Sequence, residues 1–261
     1  MAITQAARKG AHYPDLEGKT VFITGGSSGI GADMVLAFAA QGARVAFVGR
    51  NGEAAARVVA AAVASGGQAP LFHQCDLADV PALELAVQAT IATLGEIAVL
   101  VNNAADDSRH AFLDVTPAYF DHHVAVNLRA HFFASQAVLP SMRRLAGGAI
   151  INVGSTSWKN KVAGYAAYAT CKSATTGLTR SLAREFGRDG IRVNTLTPGW
   201  VMTDKQLEKW VDAEGQAEMD RNHCLPGRIM GSDVAELALF LAADTSRMIT
   251  AQEFVIDAGW T

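Results

Sequence analysis

The sequence predicts an α/β protein in which a doubly wound parallel sheet carries helices on both faces. Three observations carry that reading. Short runs rich in Val and Ile alternate along the chain with longer Ala- and Leu-rich stretches of helical period. The short runs are apolar at consecutive positions, as expected of strands covered on both sides. A strand, a glycine turn and a helix follow one another in TVFITGGSSGIGADMVLAFAAQG near the beginning.

Taken in order, TVFIT (20–24) reads as the first strand and 29–41 as the first helix. ARVAFVG (43–49) follows as a strand, then a helix over 51–65. APLFHQCD (69–76) is a weaker strand, followed by a helix over 79–94. IAVLVNN (97–103) leads into one long helix over 116–145, and GAIINVGS (148–155) into a helix over 165–188. IRVNTLTP (191–198) is the next strand. Residues 200–230 mix Trp, Met, charge and Gly without a clean strand, and read as a substrate-side loop or short helices. A helix over 232–243 and a last strand in EFVIDAG (253–259) complete the pattern. Strands alternating with helices imply right-handed crossovers in a parallel sheet. No repeat, low-complexity tract or Pro/Ser linker divides the chain, so one domain over 1–261 is expected, with 1–14 as an N-terminal extension.

Composition narrows the partners. Of 261 residues, 50% are hydrophobic and 18% charged, which excludes a disordered chain. With 22 Lys and Arg against 25 Asp and Glu, the formal charge is -3; a nucleic-acid binder needs a basic patch. Cys75, Cys171 and Cys224 are too scattered for a disulfide framework or a zinc cluster, and fit a reducing cytoplasm. The first residues hold no signal-peptide core, and no stretch approaches the ~18 apolar residues of a membrane span.

The glycine turn carries the first chemical signal. Gly25, Gly29 and Gly31 follow a G-x-x-x-G-x-G spacing, distinct from G-x-G-x-x-G. Glycine permits a tight turn and close approach of backbone to a pyrophosphate, and the following helix start offers free N–H groups. The competing reading is a glycine cluster that serves packing alone. The second strand ends Val48-Gly49-Arg50-Asn51 without the acid that accepts hydrogen bonds from an adenosine ribose. Arg50 is placed to pair with a 2′-phosphate, to stack on adenine, or simply to be solvated. NADP is therefore the expected cofactor, with NAD the alternative. Asp76, after the third strand, can reach an adenine amino group with the Leu77 backbone beside it, or cap the next helix.

Ser155 and the Tyr168-Ala-Thr-Cys-Lys172 run carry the second signal. Tyr168 and Lys172 lie four apart on a predicted helix and share a face. A tyrosine titrates near ~10, and a neighbouring ammonium favours the phenolate. At ~1.4 kcal/mol per unit, a base working near pH 7 asks ~4 kcal/mol of its surroundings. Ser155 falls at the C-terminal end of a predicted strand, where ligands sit in open α/β sheets.

In these residues the sequence resembles the short-chain dehydrogenase/reductase family, over nearly all of 15–261. The resemblance rests on TGGSSGIG (24–31), CDL (75–77), NNAA (102–105), Asn127, Ser155, YATCK (168–172) and PGWVMT (198–203). It implies a Rossmann sheet of seven strands in a homo-oligomer, usually a tetramer. It implies Tyr168 as acid and base, Lys172 as its electrostatic partner and ribose anchor, and Ser155 as holder of the substrate oxygen. Asn127 would carry a water-linked proton relay. On the same basis the cofactor would touch Ser27, Ser28 and Ile30 beside the glycines, Asn103 and Ala104, and Pro198, Gly199, Val201 and Thr203. Ala105 stands where the family turn has Gly.

DDSRH (106–110), STSW (155–158), CLPGRI (224–229) and SRMITAQEFVIDAGW (246–260) are similar to bacterial aldose 1-dehydrogenases, which oxidise an anomeric hydroxyl to a lactone. Asp106, Asp107, Arg109, His110 and Asn160 offer donors and acceptors for a polyol, and Trp158 and Trp200 offer flat faces for a sugar ring. Hydrated loop residues and packing aromatics are the plainer alternatives. A ketoacyl-thioester or general carbonyl reductase is the competing enzyme; a non-catalytic NADP sensor is the competing binding protein. No metal is expected: His122 and His123 are adjacent, His131 is not at i+4 from either, and no H-E-x-x-H occurs.

Overall fold

The computed structural model describes residues 10–261. Seven parallel strands form one sheet in the order β3-β2-β1-β4-β5-β6-β7. They are β1 (Thr20–Thr24), β2 (Arg44–Gly49), β3 (Leu71–Gln74), β4 (Ile97–Asn102), β5 (Gly148–Val153), β6 (Ile191–Pro198) and β7 (Glu253–Ile256). The helices between them are α1 (Gly29–Ala40), α2 (Gly52–Ala64), α3 (Val80–Leu94), α4 (Pro117–Val124), α5 (Ala130–Arg144), α6 (Ala166–Phe186), α7 (Asp204–Lys209), α8 (Ala213–Asn222) and α9 (Gly231–Ala242). The expected doubly wound sheet with helices on both faces is present. The N-terminal extension read at 1–14 falls largely on 1–9, outside the described residues. Among the described residues no helix is long and apolar enough to cross a membrane.

The consecutive apolar residues of β1 are explained by its central place. Val21 and Ile23 pack with Phe38 of α1 and Leu239 of α9, while Phe22 between them packs with Leu83 of α3 and Met142 of α5. A period-2 strand thus feeds two cores, so Val21, Phe22 and Ile23 are all apolar. The weak third strand is an edge strand of four residues, three of them partly buried and Gln74 exposed. The chain reverses direction of winding between β1 and β4, which opens a crevice at their C-terminal ends.

Two elements differ from the sequence reading. The helix expected over 116–145 is interrupted: Ala125–Arg129 is a π-helical turn between α4 and α5. The extra residue rotates the following face, and it carries Asn127 into the interior. The cap of α3 is Asp79, whose carboxylate accepts the Ala82 N–H at 3.0 Å, and not Asp76. Asp76 closes its own turn by accepting the Ala78 N–H at 3.0 Å.

A buried polar ladder seats α6 on the sheet. Asn102 of β4 donates to the Asn152 side-chain oxygen at 2.9 Å, and Asn152 donates to the Thr179 hydroxyl at 2.9 Å. Thr195 of β6 also donates to Thr179, at 2.8 Å. Buried hydrogen bonds of this kind fix register and orientation.

Candidate active site

A cavity of about 650 Å³ lies over the C-terminal ends of the strands. One end is the β1–α1 turn. Gly25 and Gly29 adopt φ of +71° and +54°, which L side chains rarely take. A Cβ on Gly31 would stand 2.1 Å from the Gly25 carbonyl oxygen, so the turn packs backbone on backbone. Thr24 holds it from beneath by accepting the Asn103 and Ala104 N–H groups at 3.0 and 3.1 Å. The Asn103 amide donates to the Thr24 and Gly25 carbonyls at 3.0 and 3.2 Å. Ser27, Ser28, Ile30 and Gly31 line the cavity, with the start of α1 facing it. Gly29 is not on the wall; it sits beneath Thr203, whose methyl would lie 3.4 Å from a Cβ there.

Arg50, Asp76 and Leu77 line the far part of the same cavity, as do Asn103 and Ala104. Gly49 has no Cβ beside the Ser27 hydroxyl, which would lie 2.7 Å from one. Ala105, the departure from the family turn, has no positive φ and needs no glycine.

The middle of the cavity gathers Ser155, Tyr168 and Lys172. The Ser155 hydroxyl follows β5 and donates to the Ser157 hydroxyl at 3.1 Å while accepting the Ser157 N–H at 3.1 Å. Lys172 is 1% exposed, and its ammonium donates to the Val153 carbonyl at 2.7 Å. It lies 5.8 Å from the centre of the Tyr168 ring. Burial brings the Lys172 ammonium down to about 8, with Cys171 and Asp107 opposing. Burial also holds the Tyr168 phenol well above its ordinary value; Ser155 pulls it down, while Asp107 and Tyr165 push it up. Tyr–Lys spacing alone predicts a lowered phenol, so the direction is reversed: desolvation outweighs a cation whose ammonium is turned to Val153.

Asn127 is buried and is not on the wall. Its side chain brackets the backbone of Asp106, accepting the N–H at 2.9 Å and donating to the carbonyl at 3.1 Å. It also donates to His123 Nδ1 at 3.3 Å. The adjacent histidines part company: His123 is buried, and His122 faces Asp106 at 3.6 Å. His131 donates through Nε2 to the Ala104 carbonyl at 3.3 Å, and burial beside Lys172 depresses it to about 3. Among the described residues no group of His, Cys, Asp and Glu could hold a metal ion.

On the substrate side, Asp106, Asp107, Arg109, Asn160 and Trp200 line the cavity. His110 and Trp158 do not. His110 turns away, accepting the Ala167 N–H at 3.3 Å and meeting Tyr119 at 3.1 Å. Trp158 is 38% exposed with Lys159 over its ring. Its position follows a turn at Thr156–Trp158 that sequence spacing does not reveal. Pro198, Gly199, Val201 and Thr203 line the wall after β6. The region 200–230 forms α7 and α8, and places Lys205, Gln206 and Glu218 there too. Tyr165 and Trp260 complete that wall, Trp260 with its ring centre 6.4 Å from that of Trp200. Sequence reasoning did not single out these five residues; the 200–230 segment, read as a substrate-side loop or short helices, was the available signal for three of them.

The family described as Enoyl-(Acyl carrier protein) reductase matches residues 25–261. The D-xylose 1-dehydrogenase of Caulobacter vibrioides is 46% identical over 96% of this chain and 98% of its own. A protein of Rhizobium meliloti named "probable galactose dehydrogenase" is 44% identical over 95% of this chain and 97% of its own. Among solved structures, a short-chain dehydrogenase/reductase from Serratia marcescens superposes with a TM-score of 0.87 at 33% identity, covering 94% of this chain and 99% of that one. A blue fluorescent protein from a metagenomic library, in complex with NADPH, gives 0.86 at 37% identity, covering 95% and 99%.

Proposed function

The chain belongs to the short-chain dehydrogenase/reductase family, and on that premise we propose that it oxidises an aldose at its anomeric hydroxyl to a lactone, with NADP preferred over NAD. The observation that carries the reading is one cavity in which Ser155, Tyr168 and Lys172 stand beside a glycine cradle and a polar wall of Asp107, Asn160, Gln206 and Glu218. Relatives at 44–46% identity that are named as sugar dehydrogenases support the substrate class.

The residues present fit a dinucleotide. The β1–α1 turn brings Gly25, Ser27, Ser28, Ile30 and Gly31 to the cavity at the start of α1, where the free N–H groups of a helix N-terminus favour a phosphate. Ser27, Ser28, Ile30 and Gly31 would hold the pyrophosphate, Arg50 a 2′-phosphate, and Asp76 with Leu77 the adenine. Lys172 and Tyr168 would hold the nicotinamide ribose, and Pro198, Gly199, Val201 and Thr203 the nicotinamide end. When bound, the oxidised cofactor supplies the hydride acceptor and a positive charge beside the phenol.

The chain's own residues do the rest. Ser155 Oγ holds the anomeric oxygen, and the Tyr168 hydroxyl group, as phenolate, takes its proton as C1 gives up a hydride. Lys172 favours the phenolate through its charge. Trp200 and Trp260 offer apolar faces to the sugar on the substrate-side wall. Asn127 acts by fixing Asp106 and so the loop that carries Asp107. No carboxylate stands at the end of β2, where Asn51 is engaged in capping α2, and this supports NADP. The 37%-identical neighbour that binds NADPH supports it as well.

Acyl-thioester reduction is the second reading, favoured by the description of the matching family. Initial rates with five- and six-carbon aldoses and with a ketoacyl thioester, each with both cofactors, decide between them. Thioester turnover without aldose turnover overturns the sugar assignment. We read the protein as a single cytoplasmic domain that assembles into a homo-oligomer, with tetramer the expected form. Exposed Phe112, Leu113, Phe120 and Phe132 support assembly, and light scattering measures it.

A further inference from the structure

Two opposite charges reach the cavity wall from different elements. Asp107 lies on the loop after β4, and Lys205 on α7; the two form an ion pair. The neighbouring Gln206 amide donates to the other Asp107 oxygen at 3.0 Å. Its own oxygen accepts the Trp200 indole N–H at 3.0 Å. An indole only donates, so the orientation of this amide is fixed. Two residues on from Asp107, the Arg109 guanidinium lies 3.7 Å from the centre of the Trp210 ring. Its Nε donates to the Tyr165 hydroxyl at 3.1 Å. The loop and the α7 segment are thus joined by a charge pair, an amide bridge and a cation–π stack.

This junction borders the reacting group. Tyr168 is faced by Ser155 from the end of β5, by Lys172 and Tyr165 from α6, and by Asp107 from the loop. Asp107 is faced by Lys205 and Gln206. Beside it, Asp106 is engaged with Ser108, His122 and His123. Glu218 of α8 lines the same cavity. Within this set Asp107 is the anion whose field opposes loss of the Tyr168 proton, and Lys205 is its paired cation.

We propose that Lys205 is a positioning residue: paired with Asp107, it screens Tyr168 from that carboxylate, so the docking of α7 and the acid–base work of Tyr168 are coupled through one ion pair. The proposal rests on the role given to Tyr168 above. Gln206 contributes geometry, since its amide holds the second Asp107 oxygen to α7.

The experiment compares Lys205→Met, Asp107→Asn, the double variant and Lys205→Arg. It follows kcat/KM against pH in the oxidative direction with the best aldose. It also follows tyrosinate absorbance of the NADP-loaded enzyme, with Tyr168→Phe as the blank. Lys205→Met is expected to move the rising limb and the tyrosinate transition upward by about half a pH unit, roughly a threefold loss of rate at fixed pH on the limb. Lys205→Arg restores both. In the Asp107→Asn background, adding Lys205→Met moves neither. A changed KM with an unmoved limb overturns the proposal, leaving Lys205 to hold α7 alone. An equal shift in both backgrounds also overturns it, because Lys205 then acts without Asp107. If no aldose is oxidised, the sugar assignment fails while the absorbance titration still reads the ion pair.

Discussion

His110 Nε2 accepts the backbone N–H of Ala167 at 3.3 Å, so a side chain from the loop after β4 caps the helix that carries Tyr168 and Lys172. The helix start at Tyr165 supplies no side-chain cap of its own. Because Nε2 accepts, the ring proton sits on Nδ1, which faces the Tyr119 hydroxyl at 3.1 Å. His110→Ala is expected to lower stability by about 0.5–2 kcal/mol, the cost of a lost cap. His110→Gln, whose amide oxygen can still accept, should recover part of it. Chemical denaturation reads both variants, and an unchanged midpoint in His110→Ala removes the capping role.

Tyr168→Phe keeps the ring and removes the proton acceptor. Turnover should fall by ~10²–10⁴, the usual worth of a general acid–base group. Cofactor affinity measured by titration should stay nearly intact. Retention of more than about a tenth of kcat, far above that range, points to another base.

In the oxidative direction kcat/KM should rise with pH as the Tyr168 phenol ionises. Burial, with Asp107 and Tyr165 adding to it, holds the phenol above its ordinary value. Cofactor charge and Lys172 must offset that burial, so the limb in turnover should lie below the phenol's transition in the cofactor-free protein. Lys172→Met should push the limb upward and weaken cofactor binding. A profile identical to that of the unchanged protein leaves Lys172 without an electrostatic role.

His131 links acid to unfolding. Its folded value is depressed to about 3 by burial and by Lys172, below the ordinary value of 6.5. Between these values the unfolded chain binds the extra proton, so stability falls as pH drops from 6.5 towards 3. Replacing His131 with Met removes this titration, and the acid slope of the melting temperature should flatten. An unaltered slope shows that other groups dominate acid unfolding.

Cofactor preference turns on the end of β2. Arg50→Ile should weaken NADP binding roughly tenfold or more, since a charge-assisted hydrogen bond is worth ~1.5–3 kcal/mol, with little effect on NAD. Placing an acid at Gly49 is the obvious route to NAD, but its Cβ would meet the Ser27 hydroxyl at 2.7 Å. Gly49→Asp therefore needs Ser27→Gly beside it. Calorimetric titration with both dinucleotides checks this, and an Arg50→Ile variant that binds NADP normally refutes the phosphate contact.

The sequence by itself determined the sheet. Strands covered on both faces carry apolar residues at consecutive positions, so β1, β2, β4, β5 and β6 announce themselves through runs such as Val21–Ile23 and Ala149–Ile151, and the glycine spacing marks the turn that only glycine can make. Ser155, Tyr168 and Lys172 were legible too, because their spacing follows from a strand end and a helix face. The edge strand β3 was fainter because none of its residues is fully buried, so its side chains need not all be apolar. Tertiary structure decided what spacing does not encode. The π-helical turn sent Asn127 inward to Asp106; nothing in a hydrophobic period records one extra residue in a turn. His110, read as a sugar contact, became the cap of α6, and Trp158 turned to solvent, since both lie in loops whose paths are set by packing against distant elements. The partnership of Asp107 with Lys205 joins residues 98 positions apart; only the docking of α7 across the cavity brings their charges together.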